Sequence, residues 1–263
     1  MYSAAMLHEF DTDTAVVQTA PGLYRGRFTD RWNIGTVPNG GYVLAFGMAA
    51  LKQELTPPDP VSVTAHYLGP ATAGDAEVEV QTLKVGRQFS TATASMRQNG
   101  REIVRVLATY GDLEQSTGPT HIAAEPPVVP PTDQVPQERI APFPAEFRHR
   151  FEQCFVENDP AAPRAETRGW IRFADRRPMD VHCLGLIADA FPPAVFNVTE
   201  RGWVPTLELT LHVRARPRSD TLRCVFRTHF LFGGLLEEDG EMWDETGTLV
   251  AQSRQLAAAP RTR

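Results

Sequence analysis

The 263-residue sequence predicts an α+β protein made of two similar halves, each laying one helix on a face of an antiparallel sheet. Three observations lead there. Pro70 and Pro217, Gly86 and Gly233, and Gly100 and Gly247 are each 147 residues apart, the mark of an internal duplication. Valines 78 and 80 alternate with glutamates 77 and 79, the period-2 pattern of a half-buried strand. Each half also carries one apolar stretch of helical length ahead of its strand-like runs.

The elements follow in order. In the first half, Gly40 to Leu55 is helix-like, and Val61 to Pro70 and Ala76 to Leu83 read as strands. Thr91 to Arg97 and Glu102 to Tyr110 flank Asn99-Gly100, a strong hairpin signal because both residues tolerate positive φ. The second half repeats this order. Leu184, Ile187, Ala188 and Phe191 fall at i, i+3, i+4 and i+7, which predicts a helix over Met179 to Phe191, stopped by Pro192 and Pro193. Pro205 to Val213, Leu222 to Phe232 and Thr248 to Leu256 read as strands, with a turn at Thr246-Gly247. Between the halves, eight prolines from Pro119 to Pro144 block both helix and central strand. The predicted organisation is an N-terminal domain over 1–118, a Pro-rich linker over 119–145 and a C-terminal domain over 146–263.

Composition excludes several classes. Hydrophobic residues make up 42% and charged residues 22%, as in soluble globular proteins. The longest apolar run, Gly41 to Leu51, is about half the roughly 20 residues of a membrane span. Glu9, Asp11 and Asp13 stand where a secretory signal would be basic and then apolar. Cys154, Cys183 and Cys224 form no C-x-x-C pair, which fits a reducing compartment. The expectation is a cytoplasmic protein with no membrane association. A net charge of −6 offers no global attraction for nucleic acid. The G-x-S-x-G elbow, G-x-G-x-x-G, the phosphate loop and H-E-x-x-H are all absent, and the seven histidines show no paired metal-ligand spacing, so no metal is expected.

Several segments, in order, resemble the acyl-CoA thioesterase II family, the TesB type. They are Gly22-Leu-Tyr-Arg-Gly-Arg27, Asn39-Gly-Gly-Tyr-Val43 and His66-Tyr-Leu-Gly-Pro70, then Leu186-Ile-Ala-Asp189, Thr206-Leu-Glu208 and Gly247 to Gln255. The resemblance covers about Gly22 to Leu256 and implies a double hotdog: two fused hotdog domains, each a long helix wrapped by a curled antiparallel sheet. It implies hydrolysis of an acyl-CoA by water held among an aspartate, a hydroxyl and a glutamine, with no covalent intermediate. No cofactor is implied, since coenzyme A enters only as part of the substrate. Carried over, the three residues are Asp189, Thr206 and Gln255.

The residues themselves leave alternatives. An aspartate flanked by Ile187, Ala188, Ala190 and Phe191 must find partners or shift its pKa upward, unless it lies on a solvent edge or caps a turn before Pro192. Thr210 rivals Thr206 four residues on, and the stretch from Thr206 to Pro217 is one residue longer than the family pattern. Gln252 rivals Gln255 on the opposite strand face. Asn39, Gly40 and Gly41 read as a substrate-binding helix start that offers N–H groups to a thioester oxygen, or equally as an ordinary helix cap. No Gly-Gly matches them at Met179, so one half is expected to keep the chemistry and the other a scaffold role. Coenzyme A phosphates would need a basic patch, with Arg87, Arg97, Arg101 and Arg105 or Arg214, Arg216 and Arg218 as candidates. A non-catalytic acyl-CoA or lipid-binding hotdog protein is the alternative. A dehydratase would need His66 or His182 opposite an acid. Paired sheet edges imply either a pseudo-dimeric monomer or a homo-oligomer of such chains.

Overall fold

A computed structural model describes residues 8–133, 145–156, 161 and 163–260. The first half runs α1 (Glu9–Asp13), β1 (Val17–Ala20), β2 (Leu23–Phe28), a two-stranded ribbon of β3 (Asn33–Ile34) and β4 (Val37–Pro38), then α2 (Gly40–Glu54). Four strands follow: β5 (Asp59–Tyr67), β6 (Gly74–Lys84), β7 (Ser90–Gln98) and β8 (Arg101–Gly111). The second half runs β9 (Phe151–Phe155), β10 (Glu166–Phe173), α3 (Leu184–Ile187), β11 (Thr206–Val213), β12 (Leu222–Arg227), β13 (Leu231–Phe232), β14 (Leu235–Asp244) and β15 (Leu249–Ala258).

Among the described residues one antiparallel sheet holds all of these strands but the ribbon, in the order β1-β2-β6-β7-β8-β5-β11-β15-β14-β12-β10-β9, with β13 on β14. The halves meet at β5 and β11, which pair from Glu208 opposite His66 to His212 opposite Ser62. Asn99 (φ 50°) and Gly100 (φ 76°) make the β7–β8 hairpin that their sequence predicts, and Gly247 (φ 83°) turns β14 into β15.

The duplication extends to irregularities of register. Val61 is skipped between β5 and β8, and Leu207 between β11 and β15. Ile103 is skipped between β7 and β8, and Val250 between β14 and β15. Bulges are placed features that re-aim side chains, so two at matching positions reinforce the repeat.

The helices are unequal. From Gly41 to Leu51 α2 is apolar all round, with Tyr42, Leu44, Phe46 and Met48 fully buried, as a helix segment enclosed on all sides must be. It packs on β5, β6, β7 and β8 and, on its other side, on α3. The predicted Met179 to Phe191 helix is corrected to the four residues of α3. Asp180 Oδ1 accepts the N–H groups of His182 and Cys183, each at 3.0 Å, and this side-chain turn delays the helix start. At the other end, Asp189 and Ala190 donate to Leu186 and Ile187 three residues back, so the last turn tightens before the two prolines. The apolar spacing reported packing against α2 rather than helix length. Leu222 to Phe232 is likewise divided, ending at Arg227 and resuming only as β13. Of the Pro-rich segment, residues 119–131 carry no helix or strand, and 134–144 lie outside the described residues.

Candidate active site

Asn39 caps α2 by accepting the Tyr42 N–H at 2.9 Å, and its amide then turns to Asp189, just past the end of α3. Asn39 Nδ2 donates to the Asp189 backbone carbonyl at 2.8 Å and to its Oδ2 at 2.9 Å. The Gly41 N–H donates to the same Oδ2 at 2.9 Å. Burial drives the Asp189 pKa up to about 6, while Gly41, Gly40 and Asn39 hold it back from rising further. The start of α2 therefore cradles an acid from the other half, as a helix N-terminus with free donors favours. Asn39 and Gly41 thus donate to Asp189, where the sequence offers the N–H groups of Asn39, Gly40 and Gly41 to a thioester oxygen. Their donors are turned to the acid, and Gly40 also lines the adjoining cavity.

Glycine is needed at 41 for a second reason. A Cβ there would stand 2.6 Å from the Gly185 carbonyl oxygen and 2.9 Å from both the Leu186 Cα and the Asp189 Cβ. The helices approach too closely for any side chain. Tyr67 closes the other flank by donating from its hydroxyl to the Gly40 carbonyl at 2.9 Å.

The cavity holds about 890 Å³. Its walls are mostly apolar, with Val37, Val43, Phe147, Phe155, Phe191, Phe196 and Trp203 among them, and Asp189 and Thr206 both reach it. Thr206 owes its orientation to the bulge at Leu207. On regular alternation it would share a face with Glu208 and Thr210; the skipped residue turns it to the side where Gln255 lies. Thr206 Oγ1 donates to Gln255 Oε1 at 3.2 Å. Thr210 instead exchanges a hydrogen bond with Thr64 at 2.9 Å and bonds Glu208. Gln252 accepts from Arg214 at 3.1 Å. Gln255 lies inward with Ala251, Ser253 and Ala257, all buried.

None of the seven candidate arginines lines the cavity. Arg105 pairs with Glu102, and Arg216 with Asp59 and Glu114. Among the described residues, the cations that line it are Arg148 and Arg201. Arg148 stacks 5.8 Å from the centre of the Phe155 ring, and burial lowers its pKa. No histidine among the described residues lines the cavity, so neither His66 nor His182 faces Asp189 across it as a dehydratase would require. Elsewhere His229, Glu237 and Asp239 cluster, but Glu237 accepts the backbone N–H groups of His229 and Phe230, and Asp239 pairs with Arg254.

Two family models match, the acyl-CoA thioesterase N-terminal domain over residues 28–111 and its C-terminal domain over 123–259. The chain belongs to the acyl-CoA thioesterase family. A Thermobifida fusca structure provisionally named thioesterase II is 30% identical, covers 97% of this chain and 99% of its own, and superposes with a TM-score of 0.88. An Alicyclobacillus acidocaldarius protein of unknown function with a hot dog fold is 24% identical over 98% of this chain and 100% of its own, at a TM-score of 0.89, and shows the fold. An uncharacterised Mycobacterium tuberculosis protein is 28% identical, covering 99% of this chain and 98% of its own.

One polar residue of this thioesterase-family chain escaped the sequence reading. Glu238 is 5% exposed, accepts from Gln255 Nε2 at 3.1 Å, and also takes the Ala194 N–H. Burial pushes its pKa up to about 7, and the Asp189 charge adds to the rise. The signal was present: along β14, Leu236, Glu238, Gly240 and Met242 share the buried phase, while Glu237, Asp239 and Glu241 lie outward. An acid in the apolar phase of a period-2 strand is the informative kind of exception.

Proposed function

We propose that this chain hydrolyses acyl-CoA thioesters by direct attack of a water held between Asp189 and Thr206, with Gln255 supporting Thr206. The observation that carries the reading is the meeting of a carboxyl raised to about 6 with a threonine hydroxyl on the wall of one largely apolar cavity. A group titrating there is ionised at neutral pH yet basic enough to take a proton. Asp189 Oδ1, the oxygen that receives neither the Gly41 nor the Asn39 bond, takes it from the water. The water oxygen bonds the thioester carbon, the C–S bond breaks, and the departing thiolate recovers that proton from Asp189. The apolar walls suit an acyl chain. In this reading the two halves are two hotdog domains with the boundaries given above, fused as one pseudo-dimeric cytoplasmic chain that needs no cofactor or covalent intermediate.

Thiol release from a panel of acyl-CoA esters, short to long, tests the reading. Turnover with no acyl adduct in the intact mass supports it. A folded protein that turns over no ester overturns it in favour of an acyl-CoA or lipid-binding module. Through the ionisation of Asp189 alone, the rate should climb with pH through about 6 and fall to roughly a tenth of its plateau one pH unit below. The sign follows from the role: a base acts when ionised, and this acid is ionised above its pKa. A profile flat from pH 5 to 8 would count against Asp189 as the base.

No carboxylate of a described residue pairs with either lining cation, and of the two Arg148 is the half-buried one held against Phe155, so it is the one placed to hold a coenzyme A phosphate. Arg148→Ala should raise KM about tenfold with kcat within twofold, the pattern of lost uniform binding. An unchanged KM would move the phosphate site elsewhere.

A further inference from the structure

Resting on that reading, we infer that Glu238 is a positioning residue that sets the direction of the Gln255 amide and, through it, the direction of the Thr206 hydroxyl. Glu238 does not line the cavity. It stands behind Gln255, opposite it across β14 and β15. Above its pKa of about 7 Glu238 is ionised and only accepts hydrogen bonds, so the Gln255 edge that meets its Oε1 at 3.1 Å is then the NH2. The other Glu238 oxygen is held by the Ala194 N–H. Gln255 therefore points its Oε1 at Thr206, and the 3.2 Å contact there leaves the threonine as donor. The hydroxyl proton is committed inward. Toward the cavity Thr206 offers lone pairs alone.

That direction matters to the attacking water. A water with one proton on Thr206 Oγ1 and the other on Asp189 Oδ1 has both O–H bonds engaged by acceptors, so its free lone pair is the one aimed at the thioester carbon. Were the relay reversed, Thr206 would donate to the water and occupy the lone pair needed for attack.

The other half of the chain supplies an internal comparison. Register places Ala92 opposite Ala108 in β7 and β8, at the positions Glu238 and Gln255 hold in β14 and β15. Pro60, opposite Tyr110, stands where Thr206 lies opposite Ala257. Ala92 and Ala108 are buried, so the duplicated position packs well with no polar group. The carboxylate and the amide stand together in one half and are both missing from the other, as expected of two parts of one device.

The test uses Glu238→Gln and the exchange E238Q/Q255E. Glu238→Gln keeps the shape but presents NH2 to Gln255, which must flip and donate to Thr206. It should lower kcat about 10- to 100-fold with KM within twofold. In the exchange, the amide introduced at position 238 donates to the carboxylate introduced at 255, whose other oxygen again accepts from Thr206, and kcat should recover at least tenfold. A merely structural Glu238 would give no such rescue. Unchanged kcat in folded Glu238→Gln, or an exchange that folds without recovery, overturns the inference. If the single variant does not fold, the kcat of the folded exchange decides alone; loss of fold in both assigns Glu238 to stability and also overturns it. The reading of the site itself stands or falls on Asp189→Asn, so an inactive Asp189→Asn beside a fully active Glu238→Gln would fail this inference alone.

Discussion

Asp189→Asn should lower kcat on acyl-CoA by about 10² or more, the loss that removal of a general base brings, while raising the melting temperature at pH 8. Both effects have one cause. Asn places its amide oxygen where Oδ2 receives the Gly41 and Asn39 donors, so the cradle stays satisfied and only the basic oxygen is lost. The stability sign follows from linkage. The folded pKa of about 6 exceeds the unfolded carboxylate value, so the native state binds more protons between about pH 4 and 6. Stability falls as pH rises through that window, and at pH 8 the deficit is complete, on the order of 3 kcal/mol at most. Asn removes that deficit at pH 8 and brings no gain near pH 4. Thiol release and melting at both pH values read out the two halves of the prediction. Wild-type turnover in the variant would remove Asp189 from the chemistry.

Gly41→Ala should be strongly damaging where α2 meets α3. Its Cβ would meet a carbonyl oxygen at 2.6 Å and a Cα at 2.9 Å, both backbone atoms of α3 that no rotamer change can clear. The helices must part, at a cost of about 1–3 kcal/mol, or a fall of several degrees in melting temperature. Separation also draws Asp189 away from its donors, so kcat should drop by about 10- to 100-fold. Unchanged melting and turnover would show that α2 and α3 do not pack through this glycine.

What was legible in the sequence depended on whether the signal was local. Asn99-Gly100 marks its hairpin because positive φ at two adjacent residues is a property of those residues alone. The shared offset of Pro70, Gly86 and Gly100 with their partners exposed the duplication, which the matching register breaks at Val61 and Leu207 carry into the sheet. Asp189 stood out as an acid within an apolar run. The choice between Thr206 and Thr210 was not legible, because it turns on a bulge at Leu207 that simple alternation cannot register. The helix over Met179 to Phe191 was overdrawn since the same apolar spacing serves a short helix flanked by turns packed against α2. Glu238 was overlooked because 235–244 was not read as a strand, and without that frame its buried phase has no meaning.

If the proposed chemistry holds, the seam between β5 and β11 sets how many catalytic centres the protein must maintain. A symmetric pair of identical units would have to build the same centre twice, each with two acids whose pKa burial raises. Joining the units in one polypeptide frees the copies to diverge. Here the first unit contributes the donors at the start of α2 and fills its own corresponding strand positions with Ala92 and Ala108. The second contributes Asp189 and Glu238. One polypeptide thus bears the electrostatic burden once, and a substrate analogue titrated against it should saturate at a single equivalent per chain.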